Sequence, residues 1–333
     1  MNWFISAVLS AFLFGIQVTL SYKLLTKDKI GSAALNTMIH GYVAIVGLII
    51  IFLLNFKKMT NTIFIIFKKY KSLILYAGIA ALIGNTFLYW AYQLGESINP
   101  GIITTISNGS IIISTILAYI FFNKTVRIRD IFGIIIILNS FLLLSEGNKI
   151  FKLKNNDPIS IKNIKTEPEK EKEKFPFWII IAILSAFSYG GVSFFQFILR
   201  EKDEKLNIIS IAILIALIEF IIGIIIYIFS YIPVFEKFLQ KGPFKNYKED
   251  INKLLSIKFI PNTVLSSLFN GTGLTIFLSS YKSAPNPGIL DTISDSYAII
   301  QSILTWIFFK KKMDTTQIIS IFISLIGIAL ISN

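Results

Sequence analysis

The chain contains no cysteine and a single histidine, His40, among 333 residues. These absences exclude a disulfide framework, a thiolate zinc site and a His-rich metal cluster. Charge is scarce too: Asp, Glu, Lys and Arg make up 15% of the residues against 54% hydrophobic, and mean hydropathy is +0.70. A water-soluble globule is not this apolar. The charge that is present is lopsided, 32 Lys and Arg against 19 Asp and Glu. The basic residues bunch between long apolar runs, as loop anchors of a membrane protein do, so the expected partner is the lipid bilayer and not nucleic acid. There is no Walker loop and no metal-ligand spacing, so ATP drive, a bound metal, a cofactor and enzymatic catalysis are not expected.

A hydrocarbon core of about 30 Å takes about 20 apolar residues as a helix. Ten runs meet that length, at 2–24, 32–55, 72–94, 100–122, 128–145, 176–199, 206–232, 259–281, 287–309 and 315–332. The first lacks a basic segment before it and leads into nine more, which favours an uncleaved helix over a signal peptide. Between the fifth and sixth runs, 146–175 carries Lys170, Glu171, Lys172, Glu173 and Lys174 in alternation with Pro158 and Pro168 nearby, the composition of a solvated linker. A second long connection, 233–258, spaces Ile251, Leu254 and Leu255 like one face of a short surface helix. A further segment, 63–67, is flanked by lysines and too short to cross by itself.

The two halves match. Asn99-Pro100-Gly101-Ile102 recurs as Asn286-Pro287-Gly288-Ile289, and from there to Phe122 and Phe309 the alignment needs no gap, with 14 of 24 positions identical. The opening spans also correspond: Ser10-Ala11-Phe12-Leu13-Phe14-Gly15 against Ser185-Ala186-Phe187-Ser188-Tyr189-Gly190. A five-helix unit is thus duplicated, and because five is odd the second copy runs upside down relative to the first. The expected fold is an all-α integral membrane protein of ten transmembrane helices in two inverted five-helix repeats, 1–147 and 176–333, joined by a charged linker, 148–175. Outside the linker the basic residues divide twelve and twelve between the two sides. The connection 146–175 carries eight Lys against six acidic residues, a mild argument for a cytoplasmic linker.

These features resemble the drug/metabolite transporter superfamily, EamA-like branch: Ser-Ala-x-x-x-Gly in the first helix of each half, and a fourth helix that opens on Asn-Pro-Gly and ends in a Phe-Phe-basic corner. At that corner, where the family usually carries Gly-Glu-Arg, this chain has Asn123-Lys124-Thr125 and Lys310-Lys311-Lys312. The resemblance implies transport activity and cytoplasmic termini, against the linker tie-break, and that orientation is the one adopted. It also implies that the third and eighth helices line the substrate cavity, which makes Asn85, Tyr89, Tyr92 and Gln93, and Asn270, Thr272, Thr275 and Tyr281, candidates.

Polar residues inside the spans supply the remaining candidates. A carboxylate at mid-helix costs about 2.5 to 3.5 kcal/mol on the insertion scale, so each needs a partner, a proton or a wet cavity. There are three: Glu219, Asp291 and Asp295. The two aspartates stand four apart on the ninth span, in a stripe continuing through Ala298, Ser302 and Thr305. The fourth span has an equivalent stripe, Thr104, Ser107, Asn108, Ile111, Thr115 and Ala118, although small and hydroxyl residues serve close helix packing equally well. At 1.5 Å per residue Asp295 lies about 12 Å from Pro287, deeper than Asp291, and is expected to matter more. His40, on the second span, suits an interhelical hydrogen bond or a proton relay with Glu219. Gln17 and Gln196 complete the set. No Lys or Arg lies mid-span, so a phosphate clamp is missing. The expected activity is a secondary transporter moving a small neutral, zwitterionic or cationic metabolite, of amino acid or amine type, by alternating access, with a coupling proton or cation as a further partner. The alternative is a non-transporting membrane scaffold or receptor. The nearly uniform fifth and tenth helices are expected at the periphery or in a dimer contact, and the protein as a monomer or homodimer.

Overall fold

A computed structural model describes residues 2–97, 99–123, 126–152, 177–203, 206–281, 283–284, 287–310 and 315–332. Among these every regular element is helical: α1 (Trp3–Thr26), α2 (Ser32–Leu94), α3 (Pro100–Ser107), α4 (Ser110–Phe122), α5 (Ile128–Lys152), α6 (Phe177–Lys202), α7 (Ile208–Phe229), α8 (Pro233–Leu239), α9 (Tyr247–Leu254), α10 (Ile260–Ser280), α11 (Pro287–Ser294), α12 (Tyr297–Phe309) and α13 (Thr315–Ser332). Among the described residues six segments are long and apolar enough to cross a membrane: Trp3–Thr26, Ser32–Leu53, Thr62–Leu94, Pro100–Phe122, Phe177–Lys202 and Ile208–Phe229. An all-helical chain satisfies every backbone group within its own segments, which the bilayer interior demands.

Two of the expected spans share one helical element. In a straight helix Asn36 and Thr86 would lie about 75 Å apart, yet Asn36 Nδ2 approaches Thr86 Oγ1 to 3.4 Å. The α2 element therefore doubles back, and its two apolar stretches lie side by side. Residues 63–67, expected as a separate surface segment, instead begin the second stretch, with Ile66 buried. The connection after α7 does contain the surface helix, α9, with Ile251 and Leu254 buried and Leu255 exposed. The fifth span runs on to Lys152, past the expected start of the linker. The rest of that linker lies outside the described residues, as do Lys124, Thr125, Lys282, Asn286, Lys311 and Lys312.

A second difference concerns the fourth and ninth spans, expected as continuous helices. Each is broken at the same repeat position, between α3 and α4 at Asn108 and Gly109, and between α11 and α12 at Asp295 and Ser296. Asn99 caps α3 by accepting the Gly101 N–H at 2.9 Å, with Pro100 at the first helical position, where a missing N–H costs nothing. The far ends, α4 and α12, both close on a left-handed residue, Asn123 (φ 50°) and Lys310 (φ 57°). These are the first residues of the two corners, the place where a glycine stops a helix most easily.

Packing repeats across the halves with the partners exchanged. Helix α1 lies against α10, α11 and α12, while α6 lies against α2, α3 and α4; α3 meets α12, α4 meets α11, and α5 pairs with α13. The contacts correspond residue by residue. Ser10 bonds Ser294 at 3.1 Å and Ser185 bonds Ser107 at 2.8 Å. A Cβ on Gly15 would sit 2.5 Å from Ile300, and one on Gly190 2.6 Å from Ile113, so these glycines let the backbones approach closely.

Candidate functional site

Between these crossing helices lies a cavity of about 140 Å³, lined from both halves. By the same measure a single water needs about 10–15 Å³, so a small solute has room. Ten of the expected residues line it: Gln17, His40, Asn85, Tyr89, Asn108, Gln196, Glu219, Asn270, Asp291 and Asp295. No Lys or Arg is among the described residues of the lining.

Glu219 and His40, on α7 and α2, do meet: Nδ1 of His40 is 3.4 Å from the Glu219 carboxylate. That nitrogen also stands 3.0 Å from the Asn36 carbonyl, and Nε2 is 3.3 Å from Asn270 Nδ2. With the proton on Nδ1, a neutral ring donates to the carbonyl and accepts from Asn270. The carboxylate of Glu219 also accepts from Asn36 Nδ2 and Asn85 Nδ2, each at 3.3 Å, and Tyr189 donates to Asn85 Oδ1 at 2.7 Å. Asn36 and Tyr189 escaped notice in the sequence. The signal for Asn36 was available, because it stands one helical turn before His40.

The helix breaks bring the second set together. Asn108 and Asp295 are repeat equivalents, and Asn108 Nδ2 donates to the Asp295 carbonyl at 2.6 Å. Ser110 donates to the Asp295 carboxylate at 3.4 Å. Solvent exposure does not follow position along the span. Asp291 is 3% exposed, whereas Asp295 keeps an intermediate exposure because it faces the cavity. The break also removes the continuous stripe expected through Asp291 and Asp295. Neither oxygen of Asp291 has a hydrogen-bond partner. The Ser114 and Ser193 hydroxyls face it, but Ser114 donates to its own helix at Ile111.

Tyr92, Thr104 and Thr272 lie elsewhere. Tyr92 and Thr104 form a buried network with Gln301 beside the cavity, because the Thr104 stripe turns toward α12 once α3 is separated from α4. Thr272 is exposed on α10 and lines a second, largely apolar pocket with Val43, Gly47 and Ile213. Of the other candidates, Gln93 donates to the Ile30 carbonyl at 2.7 Å, and Gln17 donates to Tyr89 at 2.7 Å and Ser21 at 3.0 Å.

A family model described as the EamA-like transporter family matches residues 1–146 and 176–333. No curated protein matches the chain. Among solved structures, one crystal structure described only as that of a protein superposes with a TM-score of 0.63 over 98% of this chain and 95% of the other, at 11% identity. At that identity the likeness concerns the fold alone.

Proposed function

The chain belongs to the EamA-like transporter family, and from that premise we propose a secondary transporter that moves a small neutral, zwitterionic or cationic metabolite, of amino acid or amine type, by alternating access. It is a multi-pass membrane protein of the drug/metabolite transporter kind. The finer reading assigns ten crossings to two inverted repeats, 1–147 and 176–333, with a linker at 148–175 and both termini cytoplasmic. The exchanged partners of α1 and α6, and the paired serine contacts, support the inversion.

One observation carries the functional reading: a single cavity at the repeat interface gathers three carboxylates, five carboxamides and three tyrosines without a Lys or Arg among its described lining. Discontinuous helices at such an interface are where transporters of this kind hold substrate and coupling ion. Glu219, Asp291, Asp295 and His40 are the proposed proton, cation or substrate contacts. Counterflow into vesicles containing the purified protein, with amines, amino acids and neutral metabolites as the panel, tests the proposal. The expected result is saturable uptake of at least one class above empty vesicles. Absence of flux for all of them refutes transport and favours a scaffold or receptor.

A further inference from the structure

The two carboxylate poles of the cavity differ in what already meets them. Glu219 accepts two carboxamide N–H groups and has His40 Nδ1 beside it. Asp291 is just as deeply set, lines the same cavity, and has no donor on either oxygen. The Tyr281 hydroxyl is likewise buried without a partner. Asp295, four residues on, has one long bond from Ser110. A buried carboxylate with no Lys or Arg in the described lining around it takes its counter-charge from what enters the cavity.

Several donors of the wall are engaged. Asn85 donates to Glu219, Gln17 to Tyr89, Asn108 to the Asp295 carbonyl, and Asn270 lies against His40 Nε2. At the Asp291 end both carboxylate oxygens are open, and the side chains that face them, Ser114 and Ser193, are neutral hydroxyls. A solute carboxylate would find no cationic clamp there. Hydrocarbon from Phe14, Val18, Leu88, Val192, Leu274 and Phe277 makes up much of the remaining wall. Among the described residues no three His, Cys, Asp or Glu side chains converge as a divalent metal would need.

Resting on the transport reading of this cavity, we infer that Asp291, seconded by Asp295, is the counter-ion for the ammonium group of a small organic monocation with an apolar body and no carboxylate. An ammonium brings three donors to a place that offers acceptors, and its hydrocarbon suits the wall, which a hydrated alkali ion does not use. The inference narrows the substrate class from amino acid or amine to amine.

The test uses the full-length protein in lipid nanodiscs and calorimetric titration with four probes: 2-phenylethylamine, 2-phenylethanol, phenylalanine and sodium chloride. The amine is expected to bind saturably, with the alcohol and the amino acid weaker by about thirtyfold or more, and D291N is expected to lose a similar factor for the amine. D295N should lose less, and T272V, outside the cavity, nothing. Equal affinity for amine and alcohol, equal affinity for amine and phenylalanine, a response to sodium chloride alone, or an unchanged amine affinity in D291N each overturn the assignment. The probe comparison needs no variant, so it decides even where D291N does not fold. Vesicle flux separates the two levels. Transport of a neutral or zwitterionic solute with no amine binding sinks the ammonium site and leaves the transporter. Amine binding that depends on Asp291, with no flux of any solute, does the reverse.

Discussion

The clamp made by α9 offers the sharpest stability experiment. Gly31 stands at the N-cap of α2 and has no side chain to cap the helix. Its N–H is taken by Asp250 Oδ2 from α9, 219 residues away, at 2.8 Å. From the same short helix Lys253 donates to the Asp28 carbonyl at 2.6 Å, and Tyr247 reaches between Thr37 (2.7 Å) and the Gly223 carbonyl (3.0 Å). Asp250 is 7% exposed, so its removal leaves a partly buried N–H without an acceptor. Loss of an N-cap acceptor costs about 1–2 kcal/mol. D250A should therefore lower the opening free energy of this corner by about 1–2 kcal/mol, and hydrogen exchange around Gly31 should accelerate about five- to thirtyfold. D250N retains an acceptor oxygen and should recover most of the loss.

The pH dependence has a definite sign. Burial, the largest influence, holds the Asp250 carboxyl above its ordinary value, against the Gly31 N–H and Lys253, which pull it down. The folded clamp then holds its proton more tightly than the unfolded chain does. Its contribution is complete below about pH 4 and declines as pH rises through the folded value. Exchange measured across this range by mass spectrometry should slow at the acid end, after correction for intrinsic rates, in the native protein and not in D250N. Unchanged protection of Gly31 in D250A, or an identical pH slope in D250N, would refute this account of the corner.

Three further outcomes follow from the geometry. E219Q puts an amide N–H₂ where Asn36, Asn85 and His40 present donors, and should reduce counterflow about tenfold or more; an unaltered rate and pH profile would remove Glu219 from the mechanism. A methyl on Gly101 would sit 1.9 Å from Ser302 Oγ and 3.1 Å from the Ala298 carbonyl. G101A should thus destabilise by about 1–3 kcal/mol, with partial recovery in the G101A/S302A double variant, measured by denaturant titration in micelles. T272V, on the outer face of α10, should leave flux within about twofold of native, and a larger fall would mean that the outer pocket takes part in transport.

The sequence contained the helices and the repeat because both are local. Apolar length is counted along the chain, and Asn99-Pro100-Gly101 writes a helix start that needs no tertiary partner. The minority of polar residues inside the apolar runs was also visible, and ten of the expected site residues line one cavity. Helical periodicity misled in one place. It carried Asp291 and Asp295 along one unbroken stripe, whereas Asp295 falls in the break between α11 and α12. The repeat alignment pairs Asn108 with Asp295, but no local rule says that one donates to the other.

Membrane spans follow from hydropathy summed over about 20 residues, so the amino-acid sequence alone determined an all-helical, multi-pass duplicated chain and which side chains would be expensive to bury. Side-chain partners depend on which helix faces which, and that is settled by shape where glycines such as Gly15 and Gly190 admit a neighbour. Tertiary structure alone decided that Glu219 is met by donors from α2 and that Asp291 is met by none. The reason is physical: the cost of burying a charge belongs to the residue, but its relief belongs to whatever packing brings alongside.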